Sequence, residues 1–163
     1  MIETFVAMML VLVGLVGMMS LFSLSVATTR FSRQELISRQ KARELLESLY
    51  TARNTQQISF DMVNNLSAGG IFLDGFQPVR RAGADGLMGT GDDGEVQEER
   101  LPGADGIVGT ADDEIRPLSD FERQATITQL SDKLREVAVI VRYTTPQGWQ
   151  REYELKSYVS AFR

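Results

Sequence analysis

From Phe5 to Ala27 the chain runs FVAMMLVLVGLVGMMSLFSLSVA, about 23 residues without a charged side chain, and a single acid, Glu3, stands just ahead of it. As an α-helix this run spans roughly 35 Å, enough to cross the hydrocarbon core of a bilayer. A carboxylate carried into that core costs about 2.5–3.5 kcal/mol on insertion scales, so Glu3 needs a partner to offset it. A cleaved secretory signal fits poorly: it would carry no acid ahead of its apolar stretch and would end in small residues at a cleavage site. The sequence therefore predicts a retained helix with a greasy first half.

The remainder of the 163 residues is unlike this segment. It is polar, acidic and glycine-bearing, and the whole chain carries a formal charge of -5. No basic footprint for nucleic acid is present, and none is expected as a partner. The absence of Cys and His removes thiol nucleophiles, disulfides and the commonest general base. Acid pairs such as Asp92-Asp93 lie in loop sequence with no apolar pocket in view to shift a pKa, and no serine sits in a nucleophile elbow, so an enzyme is not expected.

Three stretches of organisation follow. Residues 1–28 form the apolar segment of a transmembrane or filament-core helix. Residues 29–54 continue it as an amphipathic helix, with Leu36, Ile37, Leu45, Leu46, Leu49 and Tyr50 at helical spacing. A helix of that combined length would measure about 80 Å and must lean on a membrane or sister helices first, and on its own domain later. Residues 55–163 read as a β-rich head. Within it, 82–117 is taken as loop, and Asp120 to Gln129 as either a short helix or an extended connection. Leu134 to Thr144 is a valine-rich strand, Pro146-Gln147-Gly148 a turn, and Trp149 to Ser160 a second alternating strand, together an antiparallel hairpin. The expected class is α+β: a long N-terminal helix packed on a C-terminal antiparallel sheet.

Two details inside the helix bear on assembly. Gly14 and Gly17 each cost roughly 1 kcal/mol relative to Ala. They mark either close helix packing or a point where the helix unwinds with neighbouring chains satisfying its backbone. In the head, Asn65-Leu66-Ser67 has the pattern of a glycosylation sequon and nothing more.

The head also holds an internal repeat. Residues 83–93 (GADGLMGTGDD) and 103–113 (GADGIVGTADD) share the pattern G-A-D-G-x-x-G-T-x-D-D at a period of 20 residues. Asp85, Asp92 and Asp93 belong to the first unit, followed by Glu95. Asp105, Asp112 and Asp113 belong to the second, followed by Glu114. Hard oxygen donors on a flexible glycine-rich backbone suit calcium, in one site, two or a shared one. The spacing matches neither an EF-hand nor a calcium β-roll, and a solvated acidic turn, duplicated, is the competing explanation.

The opening Met1-Ile2-Glu3-Thr4-Phe5-Val6-Ala7-Met8 resembles the N-terminus of type IV pilins and pseudopilins, whose mature chains commonly begin Phe-Thr-Leu-Ile-Glu before an apolar helix. Met1-Ile2-Glu3 corresponds to the third to fifth positions of that motif. The motif's first two positions and its short basic leader fall ahead of residue 1 in this alignment. The likeness is strong over the first 30 residues and looser over the plan of helix, variable middle and terminal hairpin. It implies a pilin-like fold and a structural subunit held in the bacterial inner membrane before assembly. A prepilin peptidase would remove the leader, and an assembly platform would draw subunits into an extracellular helical homo-oligomer. Glu3 would then pair with a neighbour's α-amino group, with Phe5, Gly14 and Gly17 in the packed core. A minor pilin or a pseudopilin of a type II secretion system is the alternative, and a single-pass membrane protein with an exposed domain is a third.

Overall fold

The computed structural model describes residues 2–145 and 148–162. The chain divides into two units, residues 1–36 and 37–163. One helix, α1 (Ile2–Asn54), begins in the first unit and ends in the second. A short 3-10 turn (Leu66–Ala68) follows, and then six strands: β1 (Gln77–Pro78), β2 (Glu98–Leu101), β3 (Glu114–Pro117), β4 (Phe121–Ser131), β5 (Leu134–Thr144) and β6 (Gln150–Ser160).

In the first unit every apolar side chain described between Ile2 and Val26 is exposed, and the apolar window of the helix buries nothing within the chain. Its length and composition suffice for a membrane span. The polar side chains within and just after it turn inward on the helix itself. The hydroxyls of Ser20, Thr28 and Ser32 donate to the carbonyls of Val16, Leu24 and Thr28, four residues back, at 3.0, 2.9 and 3.1 Å. That arrangement satisfies these three hydroxyl donors within the helix.

In the second unit, α1 buries Ser38, Ala42, Leu45, Leu49 and Ala52, a run of alternating four- and three-residue steps. Leu46 and Ile37 flank this stripe, whereas Leu36 lies off it and is 67% exposed, contrary to the reading of its spacing. The four-stranded sheet has the order β1-β4-β5-β6, antiparallel throughout. Period-two alternation sends Val137, Val139, Val141 and Tyr143 of β5 into the core, joined by Phe121, Ala125 and Ile127 of β4 and by Val159 of β6. Tyr153 and Leu155 share the inner side of β6, and Tyr158 falls on the other side. The expected α+β arrangement is therefore present, with the amphipathic end of the helix on the sheet.

Two expectations need correction. The segment 120–129 is not a short helix, and its extended backbone is no mere connection: it is most of β4, paired with β5 from Phe121↔Tyr143 onward. Its Thr- and Gln-rich sequence obscured a strand whose inner face is Phe121, Arg123, Ala125 and Ile127. The region 82–117 is also not loop throughout, since β2 and β3 pair across its middle. At the hairpin, Pro146 and Gln147 lie outside the described residues. Gly148 adopts φ +82 and donates to Thr145 O at 2.8 Å, as a tight turn requires.

Candidate functional site

Two features hold the chemistry that the sequence singled out: the first turns of α1, and the duplicated aspartate unit. Glu3 lies in the first helical turn, where the helix dipole favours an acid. Phe5 is 73% exposed. A Cβ placed on Gly14 or Gly17 would meet nothing within 4 Å, so among the described residues no packing accounts for either glycine.

The two repeats fold alike and share most of their internal hydrogen bonds. In the first, Asp85 Oδ1 accepts from Leu87 N at 2.8 Å and Asp92 Oδ2 accepts from Asp85 N at 3.3 Å. Asp93 Oδ2 accepts from Gly89 N at 2.9 Å, and the Thr90 hydroxyl donates to Asp92 Oδ1 at 2.8 Å. In the second, Asp105 accepts from Ile107 N at 2.8 Å, Asp112 from Asp105 N at 3.2 Å and Asp113 from Gly109 N at 2.6 Å. Thr110 donates to Asp112 at 2.6 Å. Gly86 and Gly89, like Gly106 and Gly109, take positive φ, and a Cβ on Gly83 or Gly103 would collide with the side chain and carbonyl of Asp92 or Asp112. The pattern G-A-D-G-x-x-G-T-x-D-D thus encodes one self-bonded turn.

These bonds set the electrostatics. The Thr90 hydroxyl, with backbone N–H donors, holds the Asp92 carboxyl below its ordinary range, and Thr110 does the same for Asp112. Asp93 goes the other way. Burial pushes it up, against its backbone hydrogen bonds and the pull of Arg123. Arg123 is itself buried, with its pKa lowered by desolvation. Its Nη1 donates to Lys41 O at 3.1 Å and contacts Met88 Sδ at 3.5 Å. Nothing in the sequence distinguished this arginine, which ties β4 to α1 and to the first repeat.

The carboxylates of each unit share one turn, but they aim at their own backbone donors. Among the described residues no three acidic side chains form a group that could hold a metal ion. Glu95 and Glu114 stay outside the turns. The Glu95 carbonyl accepts from Arg81 N at 2.9 Å, and the Glu114 carboxylate pairs with Arg116 at 2.9 Å. The sequon is likewise put to structural use. Asn65 is buried, donates to Ala125 O at 2.8 Å and accepts from Ile127 N at 2.9 Å, which closes its amide to glycan attachment.

The two repeats differ in what surrounds them. Leu87 is 1% exposed and Met88 packs on the core, while Gly89 O accepts from Leu73 N at 2.8 Å. Ile107 and Val108, at the same positions of the second copy, are 61% and 58% exposed. No family model, curated protein or solved structure matches this chain.

Proposed function

We propose that this chain is the structural subunit of an extracellular filament of the type IV pilus kind, assembled from the inner membrane through its N-terminal helix. The observation that carries the reading is the first half of α1: an unbroken apolar surface, exposed on every side, with one acid in its first turn. Exposed apolar area on that scale needs a cover, and identical helices in a polymer supply one once the subunit leaves lipid. Glu3 paired with a neighbour's amino terminus lets both charges leave lipid together, which offsets the desolvation that each would suffer alone and sets axial register. The head, whose own core is complete, would face outward.

The decisive experiment is electron microscopy of material sheared from the cell surface, with mass spectrometry of the fibres. Fibres built of this chain support the reading. Trace incorporation into fibres of another subunit would select the minor pilin or pseudopilin alternative, and a monomer in detergent with no fibres would select the single-pass membrane protein.

Calcium binding by the aspartate repeats is a separable proposal. It rests on the density of hard oxygen donors on flexible backbone, and it requires the carboxylates to exchange backbone hydrogen bonds for an ion. Calorimetric heat and gained protease resistance with millimolar Ca²⁺ would support it; their absence removes it.

A further inference from the structure

The first aspartate turn docks on the core and, with the segment 57–71 that follows α1, lines a groove of about 390 Å³. Apolar side chains enter it from both walls. Ile58 and Leu87 are 4% and 1% exposed, while Met62 and Leu66 are 39% and 50% exposed. Ile71, half-buried against the core, continues the same lining. Gln57 ties the walls together, its Nε2 donating to Asp85 O at 2.5 Å. An apolar recess of this size with a few polar groups in it is the usual form of a small-ligand site.

The polar groups are two carboxylates, Asp85 and Asp92. The Thr90 hydroxyl and backbone N–H donors keep Asp92 charged. Asp85 gives one oxygen to Leu87 N, and its other oxygen accepts no hydrogen bond among the described residues. Neither acid has an ion-pair partner among the described residues, whereas Asp93 is drawn to Arg123 and Asp113 lies 3.8 Å from Arg100. The arginines that bond the opposite wall turn to its carbonyls. Arg53 donates to Ile58 O at 3.2 Å, and Arg135 to Phe60 O and Val63 O at 2.6 and 2.7 Å. Uncompensated acid beside apolar lining favours a cation carried on an apolar stem.

Gly91 supplies an independent sign. It lines the groove where the second repeat has Ala111. Its φ lies outside the left-handed region, and a Cβ there would meet nothing within 4 Å. Neither backbone conformation nor packing among the described residues asks for glycine, and the missing side chain leaves the groove open. The acceptors that remain are single oxygens, since Thr90 and Asp85 N engage both oxygens of Asp92. They suit the point charge of an ammonium better than the planar fork of a guanidinium. We infer that this groove binds a primary ammonium on an aliphatic stem, the chemistry of a lysine side chain or of a free diamine. Calcium would take the same carboxylates but has no use for Met62 and Leu66. Such a site serves a filament subunit and a lone membrane protein alike.

The test is methyl NMR of the full chain in detergent, titrated with Nα-acetyl-lysine N-methylamide. The signals of Met62, Leu66 and Ile71 should shift and saturate. Those of Ile107 and Val108 should stay in place, because the second repeat carries the same acids beside an exposed apolar pair and serves as an internal control. The norleucine analogue, with the same stem and no ammonium, should bind at least about fivefold more weakly. Asp85→Asn keeps the oxygen that faces Leu87 N and should weaken the lysine probe about threefold. Gly91→Leu should abolish the saturable shift and leave the rest of the spectrum in place. Diaminopentane separates the two sources. Tighter binding than the lysine probe assigns a free diamine, and weaker binding assigns a lysine of a partner protein. Equal binding of the norleucine analogue would overturn the inference, and that comparison needs no variant. So would the absence of a saturable shift, indifference to both Asp85→Asn and Gly91→Leu, or calcium chloride moving the same methyl signals as strongly.

Discussion

Gly83 and Gly103 occupy equivalent positions, and a methyl group at either would run into the backbone carbonyl and side chain of the aspartate nine residues on. The consequences should differ because the surroundings do. Gly83→Ala is expected to destabilise the head by about 1–3 kcal/mol, since the first turn is wedged against Leu45 and Phe72 and has no room to relax. Gly103→Ala should lower a chemical-denaturation midpoint less than Gly83→Ala does, because the second turn is exposed and can shift, while the amide of Asp105 loses its hydrogen-exchange protection. A second residue-scale expectation concerns acid. Because Asp112 is held below its ordinary 3.8 in the folded chain, its contribution is present above that value and is lost as pH falls through the lowered folded value. Asp93, pushed up by burial, contributes in the opposite sense: its part is present below 3.8 and is lost as pH rises through its raised folded value. Asp112→Asn keeps an oxygen acceptor but cannot titrate. It should flatten the acid-side shift of the Asp105 amide resonance, whose N–H donates to the Asp112 carboxylate, read by NMR of the full chain in detergent.

At the scale of elements, the long helix is two materials in one backbone. Its second half is held by a stripe of buried side chains, so Leu45→Ala should cost about 2–5 kcal/mol of head stability. Leu36→Ala, one residue before the head's own segment of helix, should change the same midpoint by less than about 0.5 kcal/mol, because the Leu36 side chain is exposed. Spacing alone grouped these leucines together, since Leu36 and Ile37 are neighbours and periodicity tolerates a residue on either side of the stripe. The terminal hairpin was legible because Val137, Val139 and Val141 alternate cleanly, whereas β4 was not. Its inner face carries a buried arginine, Arg123, and its outer face Thr and Gln, a mixture that also suits a loop. That arginine is tolerated in the core because Lys41 O accepts from it and Asp93 lies near, two partners far from it in sequence.

For the whole molecule, the expectation that ties the parts together is at Glu3. Glu3→Ala should leave the chain in the membrane fraction, since it removes a charge from an apolar segment, yet should cut filament yield severely, measured by quantifying sheared fibres against membrane-held subunit. Equal yield would leave Glu3 as no more than an acid favoured by the helix dipole. What the amino-acid order by itself determined were the features governed by local backbone geometry. These are the apolar span, the amphipathic register of its continuation, the final two strands, and a turn whose Gly, Thr and Asp residues satisfy one another within eleven positions. What only the tertiary structure decided were the matters of surroundings. Two turns of the same pattern part company because Leu87 is buried in the hydrophobic core, while Ile107 is 61% exposed. A sequon becomes a buried bracket because β4 passes over Asn65. Periodicity and turn chemistry reach only a few residues along the chain, whereas burial depends on which distant segments the fold brings alongside.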